Sequence, residues 1–193
     1  IRCITLAPEM KGAIPFIERA VANGIVVGLG HTDASEAVLE DAVRAGARLS
    51  SHLGNGTHAL LPRHQNPIQK QLSMDKLMAS IITDGVHLPH YVVKNFVRSK
   101  GIDRIILTTD SMSGAGASPG RYTLGDLEVE VGPDMAARLR GSPYLAGSTL
   151  TMDVSITNVI RFADVDLASA IQMADKNGRR LFPEVEGEIA QGH

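Results

Sequence analysis

The sequence predicts an α/β fold: a (β/α)8 TIM barrel, present as an incomplete barrel of about five to six strands with a small β-hairpin insertion. Three observations predict it. Short β-branched runs alternate with stretches of helical period, and successive runs start roughly 20 to 30 residues apart, the length of one βα unit. The runs are nearly continuous in apolar residues, as strands of a parallel sheet covered on both faces must be. Each run also delivers a polar or ionisable group at its C-terminal end: Glu9, His31, His52, Asp84 with His87, and Asp110. Five strands each offering such a group suit a ring converging on one mouth. A doubly wound sheet concentrates its site at one switch point.

The predicted strands are 2–6, 24–29, 47–51, 77–83 and 104–109. After the first, Ile14, Ile17 and Val21 fall on one helical face, with Pro15 in the first turn, where a missing N–H costs nothing. After the second, Ser35 is an N-cap, Val38, Leu39, Ala42 and Val43 form the apolar face, and Gly46 supplies the stop. After the fourth, Val92, Val93, Phe96 and Val97 define a helix over 91–98, closed by Gly101. Beyond Asp110 the rhythm breaks. Residues 120–131 alternate with period two around Gly125-Asp126 and predict an inserted hairpin. A glycine-rich stretch, 144–152, then leads into helices at about 152–162 and 167–178. The chain reads as one partial barrel domain over 1–193. A complete barrel takes about 250 residues, and both termini, including 187–193, read as cut from something larger.

Composition narrows the function classes. The 193 residues are 44% apolar and 21% charged, so the chain can bury a core and is not intrinsically disordered. The net charge of -2 argues against a nucleic-acid partner or a polybasic membrane binder. No run approaches the ~18 apolar residues of a membrane helix. The lone Cys3 excludes an intrachain disulfide framework and a cysteine-based zinc site, and it predicts a reducing, cytoplasmic location.

The chemistry-bearing residues lie at the strand ends. His31 and His52 follow adjacent strands, ~4.8 Å apart in a parallel sheet, so two imidazoles there can ligate one divalent metal, zinc or iron. Two histidines leave a zinc site incomplete, and either could instead be a satisfied loop histidine. Asp110 is placed to act as general base beside a metal, or else to cap the next turn. His87 offers a donor to substrate, although Asp84-Gly85 is also a turn signal. Arg63, in a polar loop with His58, His64 and Asn66, has the fork that matches phosphate oxygens. Gly147-Ser148-Thr149 can present N–H groups to an anion at a helix start. Glu9 is either a ligand or a structural acceptor at the mouth, the latter favoured.

Taken in order, Thr5-Leu-Ala-Pro-Glu9, Gly30-His-Thr32, His52-Leu-Gly-Asn55, Asp84-Gly-Val-His87, Thr109-Asp110 and Ala146-Gly-Ser-Thr-Leu-Thr-Met152 resemble the N-acetylglucosamine-6-phosphate deacetylases of the amidohydrolase superfamily. The resemblance implies a metal-dependent hydrolase barrel that removes an acetyl group from an amino-sugar phosphate, with this chain as the C-terminal barrel portion. It implies His31 and His52 as metal ligands and Asp110 as the base that later protonates the leaving amine. His87 would contact the substrate and polarise its carbonyl. Asn55 and the backbone of Gly56 would hold the phosphate, with Ser148 and Thr149 also on the substrate. Arg63 stands where the family's arginine reaches a neighbouring subunit's substrate, which implies a homodimer. The family's His-Leu-Glu-Gly-Pro motif, with its glutamate ligand, is not in the chain, and Glu9 does not match it. The loop after His52 also lacks the family's usual aromatic, which changes the sugar wall. Two other readings stand: a non-catalytic relative that binds a phosphosugar or a partner chain, and a metal-free phosphosugar isomerase or aldolase. The latter wants a strand-end base, and the only lysine near a strand end is Lys11.

Overall fold

A computed structural model describes residues 1–182; the stretch 187–193 lies outside the described residues. Five strands form one parallel sheet: β1 (Cys3–Leu6), β2 (Val26–Leu29), β3 (Leu49–Ser50), β4 (Met78–Ile81) and β5 (Ile105–Leu107). Their order in the sheet is their order in the sequence, with no reversal. Every crossover therefore winds the same way along the sheet, as in a barrel wall, and there is no switch point of the doubly wound kind.

The crossovers carry α1 (Ala13–Ala22), α2 (Glu36–Arg44), α3 (Pro67–Ser73) and α4 (His90–Lys100). Helix α1 buries Ala13, Ile17 and Ala20. Val21, expected on the same face, is 37% exposed. Ser35 caps α2 as expected, its Oγ accepting from Val38 N at 3.4 Å, with Glu36 and Arg44 matching the helix dipole at the two ends. Helix α3 follows directly on the polar loop that carries His58, Arg63 and Asn66, in a stretch for which the sequence predicts no element. Asn66 Oδ1 accepts from Gln69 N at 3.0 Å and Pro67 opens the first turn, a start signal masked by the short, polar sequence around it. After β5 come α5 (Met152–Ala163), α6 (Leu167–Ile171) and α7 (Asn177–Leu181), the last two joined by a π-helical turn over Gln172–Lys176.

The core has two centres. Ile17, Val27, Leu29, Leu39 and Leu77 fill the space between α1, α2 and the first strands. Ile81, Val93, Phe96, Ile105, Val159 and Met173 fill that between the last strands, α4 and α5. Each such side chain contributes about 1.5–3 kcal/mol by leaving water. A buried pair, Thr83 Oγ1 and Ser155 Oγ at 2.8 Å, ties the end of β4 to α5.

The hairpin expected over 120–131 is present as β6 (Gly120–Leu124) and β7 (Leu127–Val131), turning at Gly125-Asp126. A third strand, β8 (Ala137–Leu139), pairs antiparallel with β7. Its three residues are too few to show a period. This sheet buries Val129, Val131 and Ala137 against Met112 and Ala146, so the insertion is anchored to the segment that follows β5.

The two edges of the parallel sheet differ. At β5, Asn177 is fully buried and its Nδ2 donates to the carbonyls of Ile105 (2.6 Å) and Ile102 (2.7 Å). At β1, a largely apolar groove of about 370 Å³ lies over Ile4, Leu6, Ala7, Met10 and Phe16.

Candidate active site

The parallel sheet fixes where the polar groups gather. His31 and His52 each stand two residues past a strand end, and Asp110 stands three past β5. All three have positive φ: 51°, 32° and 49°. Among the described residues only two other non-glycine residues do, Met135 and Asp164. A left-handed conformation costs an L-residue about 1–2 kcal/mol. Three such residues at the mouth of one sheet are stored strain of the kind that accompanies sites. No composition or periodicity signal reports it.

The His31 and His52 rings meet edge to face with centroids 4.8 Å apart. His52 is locked by its backbone, its N–H donating to Ser80 Oγ at 2.8 Å. Its Nδ1 is buried and has no hydrogen-bond partner among the described residues. Burial holds its pKa below the ordinary value; Asp110 raises it, and His31 and His87 lower it further. His31, His87 and Asp110 thus all lie within electrostatic reach of His52.

His87 is held from behind. Asp84 Oδ1 accepts the backbone N–H groups of Val86 and His87, each at 2.8 Å, and Oδ2 lies 2.6 Å from His87 Nδ1. The two side chains are 14% and 8% exposed. Burial raises the Asp84 pKa, but the bonds and charge of His87 outweigh it and the net shift is downward. An ionised carboxylate only accepts, so Nδ1 donates to it and Nε2 is the atom left for a ligand. The Asp-Gly turn and the candidate histidine are therefore one structure.

The loop after His52 returns over His31. Asn55 is half-buried and its Nδ2 donates to His52 O at 3.1 Å. Gly56 has φ 66°, and a Cβ there would lie 2.6 Å from the His31 ring. Arg63 is exposed and makes no hydrogen bond or ion pair with any described residue. His64 lines a cleft of about 680 Å³ with Asp33, Asn66 and Lys70, and His58 Nε2 lies 3.7 Å from Asp33 Oδ2.

Ser148 and Thr149 are placed differently from one another. Ser148 is 1% exposed; its hydroxyl donates to Thr109 O and accepts from Leu150 N, and its N–H donates to Asp110 O at 2.9 Å. It pins the Asp110 turn. Thr149 is half-buried, its Oγ1 donates to Met135 O at 2.5 Å, and it borders a 270 Å³ cleft with Asp84, Met135 and Asn158. A single parallel bridge between Ser111 and Ser148 ties this segment to the one that follows β5.

The donor set suits a divalent cation in part. Two adjacent imidazoles, one with an orphaned buried nitrogen and kept neutral by burial, are what a cation of this class takes as ligands. No group of three or more His, Cys, Asp or Glu is arranged to hold a metal among the described residues. Glu9 joins no such group, and its carboxylate is bonded to Thr32 and Asp33.

Fold and site together define a parallel β/α protein with a three-histidine, one-aspartate cluster at the C-terminal ends of its strands. Comparison with known proteins takes this further. The chain is 32% identical over 194 residues to N-acetylglucosamine-6-phosphate deacetylase of Lysinibacillus sphaericus, covering 100% of this chain and 50% of the relative. It is 34% identical to the human protein of that name (94% and 45%) and 33% identical to N-acetylgalactosamine-6-phosphate deacetylase of Escherichia coli O157:H7 (94% and 47%). A Mycobacterium smegmatis N-acetyl-D-glucosamine-6-phosphate deacetylase, solved with N-acetyl-D-glucosamine-6-phosphate, superposes with a TM-score of 0.89 at 30% identity, over 95% of this chain and 49% of that one. The Thermotoga maritima enzyme gives 0.88 at 31%, over 99% and 52%. No family model matches. The chain is a homologue of the N-acetylglucosamine-6-phosphate deacetylases along its described length, as its ordered motifs implied, and it spans about half the length of the curated relatives it matches.

Proposed function

We propose that this chain contributes the mouth of a (β/α)8 barrel that hydrolyses the acetamide of an N-acetylated amino-sugar phosphate. The observation that carries the reading is the convergence of His31, His52, His87 and Asp110 at successive strand ends, three of them in strained left-handed backbone and the fourth, His87, held by the buried Asp84 carboxylate. Homology to deacetylases of both glucosamine and galactosamine phosphates supports the substrate class and leaves the sugar's configuration open. Closure of the barrel takes further β/α units against the β1 edge, where the groove over Ile4 and Met10 offers apolar surface.

His31 and His52 would hold a divalent cation, zinc or iron, together with a ligand from outside the described residues. Such a cation supplies Lewis acidity at the acyl carbonyl and lowers the pKa of the attacking water. Asp110 takes a proton from that water as it adds to the carbonyl. The C–N bond then breaks, and the same carboxyl returns the proton to the departing amine. His87 Nε2, aimed by the Asp84–Nδ1 bond, holds the acyl oxygen as charge gathers on it. Asn55 and the Gly56 N–H bind the phosphate, with Thr149 at the sugar's far side. Ser148 acts through the Asp110 turn. Arg63, exposed in the loop after His52, reaches the phosphate held by a second subunit, so the working unit is a homodimer. No helix among the described residues is long and apolar enough to cross a membrane.

Elemental analysis tests the reading. One zinc or iron per chain, lost in the His31→Ala, His52→Ala double variant, supports it. A metal-free protein that still binds an amino-sugar phosphate turns the assignment to a non-catalytic relative.

A further inference from the structure

We propose that Glu9 is a positioning residue of the site: it clamps the left-handed turn at His31 and so sets the imidazole against His52. Glu9 follows β1, whereas His31 follows β2, so the contact joins the ends of two neighbouring strands. Its two carboxylate oxygens take separate donors on the two residues directly after His31. Oε2 accepts from Thr32 Oγ1 at 2.5 Å, and Oε1 accepts from Asp33 N at 2.9 Å. The chain of bonds continues inward. Thr32 is 2% exposed, and its hydroxyl oxygen also accepts from Ala34 N at 3.0 Å. The backbone on the C-terminal side of His31 is thus fixed at Oγ1, at the amide of residue 33 and at the amide of residue 34, all through one carboxylate and one buried hydroxyl.

His31 needs such a fixture. Its φ of 51° is unfavourable for a β-carbon-bearing residue, and nothing in its own side chain relieves it. With the turn held, the ring packs on Gly56 and lies 4.8 Å from the His52 ring. With the turn released, residue 31 relaxes to an ordinary β or right-handed conformation and the ring leaves His52. Glu9 is exposed and belongs to no core cluster, so packing of the core does not explain its placement. Glu9 belongs to no cluster of described residues that could hold a cation, and both its oxygens take donors of the His31 turn, so its part is to support a ligand.

The purpose of the clamp rests on the proposed role of His31, whereas its existence does not, and two measurements keep these apart. The first uses metal-free protein. The backbone carbon shifts of His31 report its left-handed conformation, and hydrogen exchange at the Asp33 amide reports the Glu9 bond. Glu9→Ala is expected to abolish the left-handed signature and to speed Asp33 exchange at least about tenfold, with Thr32→Val moving both the same way. Glu9→Gln, which keeps an acceptor for Asp33 N–H, should fall between. The second is divalent-cation affinity by chelator competition, expected to weaken about 10–100-fold in Glu9→Ala, the usual effect of losing a partner that orients a ligand. If Glu9→Ala does not fold, Thr32→Val, nearly isosteric, carries both readouts. Unchanged His31 shifts and Asp33 exchange in the folded variants overturn the clamp. Lost shifts with unchanged affinity overturn its role in the site. A parent protein that binds no divalent cation overturns the proposed function, and the first measurement then still decides whether Glu9 sets the turn.

Discussion

Gly56 offers the sharpest perturbation of the site. A β-carbon added there would lie 2.6 Å from Cγ and Nδ1 of His31 and 2.7 Å from Cδ2, where ordinary contact begins near 3.4 Å. His31 is exposed, so its ring can retreat, and the fold survives. Alanine at φ 66° adds about 1–2 kcal/mol of left-handed strain, and this sets the expected loss of stability. The function should suffer more. The ring must move by most of an ångström, and a misplacement of about 1 Å at a site costs about 100-fold. Gly56→Ala should therefore unfold in denaturant with a free energy about 1–2 kcal/mol below the parent, yet lose about 100-fold in turnover and bind its cation more weakly. A variant with turnover within about twofold of the parent, or one whose activity loss merely tracks its stability loss, refutes the argument that Gly56 is glycine because His31 needs the space.

Further outcomes follow from other contacts. Asp110→Asn should lose about 100-fold or more in kcat while keeping its cation, since the base is removed and both histidines stay; unchanged turnover would remove Asp110 from the mechanism. The folded-state pKa of Asp84 lies below its ordinary 3.8. Its stabilisation is therefore complete above that value and is lost as the pH falls through the folded pKa, because the unfolded chain takes up the proton first. Acid unfolding followed by circular dichroism should show that limb, and Asp84→Asn should flatten it. Ser155→Ala should cost about 1 kcal/mol in denaturant unfolding, since Thr83 Oγ1 keeps the Ser155 carbonyl as a partner. Arg63→Ala should raise KM for a phosphorylated substrate, leave kcat nearly unchanged and leave stability unaltered, because the exposed side chain makes no hydrogen bond or ion pair with a described residue; an unchanged KM would separate Arg63 from the phosphate.

Much of the sheet was legible because its strands are apolar runs with polar residues at one end. The five predicted runs contain the five observed strands, each trimmed where the backbone turns out of the ladder. Ser35, Pro15 and Gly101 marked helix ends through local chemistry that acts in any context. Helix α3 and strand β8 were not legible, since seven polar-rich residues and three residues are too short to carry a period. The strand-end histidines and Asp110 could be named from position. Their left-handed backbone could not, because φ at a non-glycine residue is imposed by contacts made elsewhere. Glu9 shows the same divide. Its side of the strand is visible in the sequence, but the partners that define its job are 23 and 24 residues away. Ser148 illustrates the converse. A Gly-Ser-Thr stretch before a helix resembles an anion site, but the hydroxyl is turned inward to the Asp110 turn.

The most direct test of the central claim is acetate release from N-acetylglucosamine-6-phosphate by the native protein. It should be followed with cation present, after stripping with a chelator, and in Asp110→Asn. The account predicts acetate and free amine in equal amounts, loss on stripping, recovery on adding zinc or iron, and no recovery in Asp110→Asn. Release that is indifferent to both the chelator and Asp110, or binding of the sugar phosphate with no release at all by cation-loaded protein, would contradict it.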